Sequence, residues 1–119
     1  MNAPEHDRIM VPVNPDEAAW IRYGDEKMAR NEYEMAVRDY DRAIGFRPDS
    51  SRAWQAKANA LEALGNYNEA LRCYDKALAC DAGDAECWFN KGTALKKTGR
   101  ATEAAACIDN GIHLALGSR

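Results

Sequence analysis

Residues 54–77, WQAKANALEALGNYNEALRCYDKA, decide how the rest of the chain is read. Trp54, Ala58 and Leu61, with Leu64 a turn on, recur at helical rather than strand spacing. Gly65-Asn66 breaks the run. Tyr67, Ala70, Leu71, Tyr74, Ala77 and Leu78 then form a second apolar stripe at i, i+3, i+4, i+7. The pattern predicts helices over 51–63 and 67–80. A helix this short is marginal in water without tertiary packing, so the two must fold against each other.

The same pattern occurs on both sides of that stretch. Trp20, Trp54 and Trp88 are each thirty-four residues apart, and Gly24, Ala58 and Gly92 follow them in phase. So do Ala36, Ala70 and Ala104; Tyr40, Tyr74 and Ile108; Asp41, Asp75 and Asp109; and Ala43, Ala77 and Gly111. One unit of structure is therefore used three times. Turns are expected at Arg30-Asn31 and Gly99-Arg100, second helices from about Tyr33 to Phe46 and from Ala101 to Leu116, and caps at Asp49 or Ser50 and at Asp84. Strict recurrence beside small residues places the tryptophans in the core, where each would bury roughly 150–250 Å². The Gly24 and Ala36 columns are small because helices approach closely only where side chains are small.

These columns resemble the tetratricopeptide repeat, whose pattern is W-x2-L-G-x2-Y…A-x3-F…P over thirty-four residues. Trp20-x3-Gly24, Trp54-x3-Ala58 and Trp88-x3-Gly92 fit its first helix; Ala36-x3-Tyr40, Ala70-x3-Tyr74 and Ala104-x3-Ile108 fit its second; Pro48 closes the first unit. Tyr23, Lys57 and Lys91 stand in the Leu slot, and Lys27, Leu61 and Leu95 in the aromatic slot. The resemblance implies an all-α fold, an α-solenoid of three helix pairs in a short right-handed superhelix. It gives one domain over residues 14–118, with repeats about 17–50, 51–84 and 85–118, after an extended segment over 1–13.

In that segment Ile9-Met10-Val11-Pro12-Val13 is apolar without helical spacing. It can cover the edge of the first helix pair, occupy a groove of this molecule or a neighbour, or stay disordered. Asn14 as N-cap, Pro15 at the first helical position and Glu17 as the capping-box acid are read as the first helix start.

Composition narrows the function. A net charge of −3 and a pI near 5.4 argue against generic nucleic-acid binding, which needs a basic patch. No apolar run approaches a membrane span, and the N-terminal residues lack the order of a secretory signal, so a cytoplasmic protein without membrane contact is expected. The charge is graded: residues 1–50 carry −4, residues 51–84 carry −1 and residues 85–119 carry +2. This is either variation on solvated faces or a bias toward head-to-tail association.

Nothing points to catalysis. Cys73, Cys80 and Cys87 are seven apart and do not match zinc-ligand spacings, so no metal or cofactor is expected. They read as small buried hydrophobes in a reducing compartment, a Cys80–Cys87 bridge being the one pairing left open. His6 and His113 have no catalytic neighbours in sequence, and no phosphate-binding glycine loop occurs. The protein is expected not to be an enzyme.

Binding remains. In proteins of the resembled family the first helices line a concave groove for an extended peptide or a helix. Carried onto this chain, that surface is Ala18, Ile21, Arg22, Asp25 and Met28 in unit one. Unit two gives Arg52, Gln55, Ala56, Asn59 and Glu62; unit three gives Glu86, Phe89, Asn90, Thr93, Lys96 and Lys97. Gln55, Asn59 and Asn90 are suited to a peptide backbone, since amides both donate and accept, and Ile21 and Phe89 read as apolar anchors. Co-chaperones of the family clamp a C-terminal carboxylate with Lys, Asn, Asn, Lys and Arg. Here those slots hold Ile21, Asp25, Ala56, Glu86 and Asn90, which implies no such binding. The expected function is a scaffold or adaptor for a protein or peptide partner. The alternative is a self-assembling module forming homo-oligomers through the N-terminal segment or the last helix, whose Ala105, Cys107, Ile108, Ile112, Leu114 and Leu116 exceed what one partner helix covers.

Overall fold

Six α-helices make up residues 15–117, the part of the 119-residue chain that the computed structural model describes. They are α1 (Glu17–Ala29), α2 (Tyr33–Phe46), α3 (Ser51–Ala63), α4 (Tyr67–Cys80), α5 (Ala85–Lys97) and α6 (Ala101–Leu116). The helices pack as the pairs α1/α2, α3/α4 and α5/α6, and each pair stacks on the next to give an all-α solenoid of 61 × 30 × 21 Å. The apolar Ile9–Val13 stretch and Asn14 lie outside the described residues.

The repeat also fixes the helix ends. Asp16, Ser50 and Asp84, one phase of the repeat, cap α1, α3 and α5 by accepting from the N–H groups of Ala19, Ala53 and Cys87 at 3.0, 3.2 and 3.2 Å. Each satisfies a donor that the first turn leaves free. The first helix therefore starts later than its expected Asn14-Pro15 origin. Glu17 is no capping-box acid either: its carboxylate accepts the Ser50 hydroxyl and lies 3.8 Å from Arg47. Between the helices of each pair, Asn31, Gly65 and Gly99 share one phase and turn the chain at φ of 62°, 84° and 80°. That left-handed conformation suits glycine and, among other residues, asparagine.

The core corrects one expectation. The largest fully buried side chains are Tyr40, Tyr74, Ile21, Leu95 and Cys87, not the tryptophans. The Tyr40 ring packs directly on Gly24 of the paired helix, where a Cβ would clash with it, and the small buried alanines at 36, 43, 70 and 77 let the paired helices close on each other. The indoles are half-buried at the edge of this core. Trp54 and Trp88 donate their Nε1–H to the carbonyls of Pro48 and Ala82, at 2.7 and 2.9 Å. The indole N–H needs an acceptor, so the ring is held at the linker instead of the centre.

Between successive pairs an ion pair repeats. Lys57 meets Asp41 at 2.8 Å and Lys91 meets Asp75 at 2.7 Å. These lysines occupy the Leu slot of the repeat and hold their ammonium groups over the half-buried indoles, with Nζ 5.7 Å from the Trp54 and Trp88 ring centroids. Burial opposes the Lys57 charge, but hydrogen bonding and attraction to Asp41 outweigh it and raise its pKa.

Candidate functional site

Among the described residues the backbones of α1, α3 and α5 approach one another in succession, while those of α2, α4 and α6 stay farther apart. The stack is thus curved, with the first helix of each pair on the inner side. The expected groove residues lie on these three helices, and the structure sorts them into three groups.

The first group is knitted together. Gln55 donates from Nε2 to Asp84 Oδ2 at 3.2 Å and accepts from Asn90 Nδ2 at 3.2 Å, joining α3 to α5. Lys97 donates to Glu62 Oε2 at 3.0 Å, a bond that raises the Lys97 pKa. Glu62 and Asn59 also face the Tyr74 hydroxyl, at 2.8 and 2.6 Å. Asp25 accepts from the Tyr40 hydroxyl at 2.6 Å, and Arg52 approaches its other oxygen at 4.0 Å. A polar row therefore runs across three helices, with most of its members already satisfied by one another.

The second group is turned into the fold or spends its polar atoms on its own helix. Ile21 is 2% exposed and belongs to the core with Ala36, Tyr40 and Ala53, so it is closed to a ligand. Phe89, in the same phase of the repeat, rests its ring on Gly111 of α6: a Cβ at Gly111 would stand 2.9 Å from the ring. Thr93 is exposed but spends its hydroxyl on the Phe89 carbonyl at 3.1 Å, back along its own helix. Met28 and Ala56 pack against the core.

The third group is open. Arg22, Lys96, Glu86 and Ala18 are exposed, and Arg22 and Lys96 have no charge partner among the described residues. Asp84 and Tyr74 are the members that sequence reading missed. Asp84 was legible as a cap, but its second oxygen is free to serve Gln55. Tyr74 was legible as core, yet its hydroxyl ends at the surface row. No group of three or more His, Cys, Asp or Glu side chains among the described residues is placed to hold a metal, and no helix there is long and apolar enough to cross a membrane. All four cysteines are free, Cys80 exposed and Cys87 buried with its thiol toward the Tyr74 carbonyl at 3.8 Å, so the Cys80–Cys87 bridge is absent.

Residues 17–50 and 85–115 match one profile of the tetratricopeptide repeat, and residues 51–94 match another. The chain belongs to the tetratricopeptide repeat family. Among curated protein sequences none matches it. Among solved structures, this tetratricopeptide repeat chain superposes on MamA with a TM-score of 0.82 at 17% identity, over 87% of this chain and 60% of MamA. The tetratricopeptide domain of Sgt2 from Aspergillus fumigatus gives 0.82 at 24% identity, over 89% of this chain and 70% of that domain. The second tetratricopeptide domain of Spaghetti (RPAP3), solved bound to the HSP90 peptide SRMEEVD, gives 0.80 at 20% identity, over 93% and 99%. At these identities the likeness is one of fold.

Proposed function

We propose that the inner face of α1, α3 and α5 docks an extended peptide or a helix of a partner protein, making the chain an interaction module. The observation that carries this reading is the Asp84–Gln55–Asn90 bridge across two helices. Both its amide contacts are at the long end of hydrogen bonding, so a peptide backbone can replace them at little cost. Exposed Arg22, Arg52 and Lys96 flank the bridge and are suited to acidic side chains of the incoming segment. Fold relatives include a domain solved with a bound peptide, which supports the same use of the surface here.

The test is selection of a random peptide library on the intact protein, followed by titration of the selected peptides against Gln55→Ala/Asn90→Ala. Loss of about tenfold in affinity, worth about 1.4 kcal/mol, is expected. Binders indifferent to both changes, with the variant still folded, overturn the reading.

A second reading, self-association through α6, rests on a separate observation. Leu78 is 7% exposed because unit three covers it, whereas Ile112, its equivalent one repeat on, is 41% exposed and Leu116 is 74% exposed. Sedimentation velocity across concentration, repeated with Ile112→Lys, decides it: a monomer at all concentrations removes this reading.

A further inference from the structure

The outer side of α5 carries a feature that the inner-face reading does not use. The backbones of α4 and α6 stand apart, and a cavity of about 590 Å³ opens between them, lined by Trp88, Arg72, Ala106 and Asn110 among others. That size suits the insertion of a large side chain. The earlier units cover their indoles. Arg42 lies 4.8 Å from the Trp20 ring centroid and Lys76 lies 5.7 Å from that of Trp54. One repeat on, the position of Arg42 and Lys76 is Asn110, and the position of Arg38 and Arg72 is Ala106. Unit three thus departs from its own repeat by shortening two long basic side chains, both of which line the cavity. Trp88 keeps Lys91 on one side, 5.7 Å from its ring centroid, but lacks the second cation that Lys76 supplies to Trp54, so its other side faces the cavity.

Charge indicates the occupant. Of the five charged residues around the cavity, Lys91 is paired with Asp75 at 2.7 Å, and Arg100 grips Glu103 through two bonds of 2.7 and 2.9 Å. Arg72, exposed at the wall, has no carboxylate partner among the described residues. We infer that this outer cavity is a second docking site, for a linear acidic segment of a partner protein that lays an aromatic side chain on Trp88 and a carboxylate on Arg72. The amides of Asn68 and Asn110 at the rim hold the backbone of the segment. The site is independent of the inner face, since it uses the opposite side of α5.

The probe is a blocked heptapeptide with a central Phe flanked by Glu on each side, titrated into the isotope-labelled protein and followed by amide and indole N–H signals. The expected result is a shift of the Trp88 indole and the Asn68 and Asn110 side-chain amides, with Gln55 and Asn90 unmoved. Asn110→Lys restores the residue that unit two tolerates, so it keeps the fold and closes the cavity; it should weaken the probe about tenfold. Arg72→Gln should weaken it about threefold, as a partly exposed charge pair would. No shift at millimolar peptide, equal binding to Asn110→Lys, shifts confined to Gln55 and Asn90, or tighter binding of the same peptide with Lys for Glu each overturns the inference.

Discussion

The Tyr74 hydroxyl lies 2.6 Å from Oδ1 of Asn59, so the most deeply buried ring of the second pair ends in the polar row of the inner face. Glu62 stands 2.8 Å from the same hydroxyl, which has one proton for two acceptors. The arrangement closes when the Asn59 amide presents its NH₂ to the phenol oxygen and the proton goes to Glu62. Tyr74→Phe should therefore cost about 1–2 kcal/mol in urea unfolding. Asn59→Ala should cost a similar amount, so it is not a clean probe of ligand capture. A neutral Tyr74→Phe would show that the hydroxyl contributes nothing to the pair.

Alkali should unfold the protein early. Burial and then Glu62 raise the Tyr74 phenol above its ordinary 10.0, and burial and then Asp25 do the same for Tyr40. Their stabilising effect is complete below pH 10 and is lost as pH rises above it, because the unfolded phenols ionise first. Burial also lifts the Cys87 thiol from 9.0 to about 12, so its share falls away between those values. Stability measured from pH 8 to 11 should decline, with the limb flattened by Cys87→Ala, the residue that unit two carries as Ala53.

Phe89 and Gly111 are a matched pair. Units one and two combine Ile21 with Ala43 and Gln55 with Ala77; unit three has a larger ring and gives up the Cβ facing it. Gly111→Ala should cost about 1–3 kcal/mol of overpacking against about 1 kcal/mol of helix propensity gained. In a Phe89→Ile background the clash disappears and the propensity remains. A double-mutant cycle should show coupling of about 1 kcal/mol or more, and additivity would refute the packing.

Thiol reagents should distinguish one cysteine from three. Cys80 is exposed, whereas Cys73, Cys87 and Cys107 are buried, and burial first of all raises the pKa of each. One equivalent should react at once in native protein and three more only on unfolding.

The peptide SRMEEVD, held by the Spaghetti domain, should not bind here at micromolar concentration. Of the slots that would grip its terminal carboxylate, Ile21 is buried, Asp25 is acidic and engaged with Tyr40, and Glu86 is acidic and exposed. Saturable calorimetric binding would contradict this.

Much of the fold could be read from the chain alone, because a period of thirty-four residues fixes which positions are equivalent. The helix limits at Tyr33–Phe46, Ser51–Ala63, Tyr67–Cys80 and Ala101–Leu116, and the cap at Asp84, follow from it. Equivalence does not say what a side chain meets. Ile21, Gln55 and Phe89 share one phase, yet the first enters the core, the second bridges to Asp84 and the third leans on Gly111. Size and the neighbouring unit decide between these fates, and neither is periodic. The tryptophans were placed too deep for a related reason: recurrence marked them as structural and they do pack against the core, but the indole N–H holds Trp54 and Trp88 at the linkers.

Among the described residues each helix pair meets only the pair before and the pair after it in the stack. Such a molecule has no centre through which all its parts are coupled. Loss of structure should begin at the outer units and travel inward, leaving the middle pair, supported on both flanks, as the last to exchange its amide hydrogens.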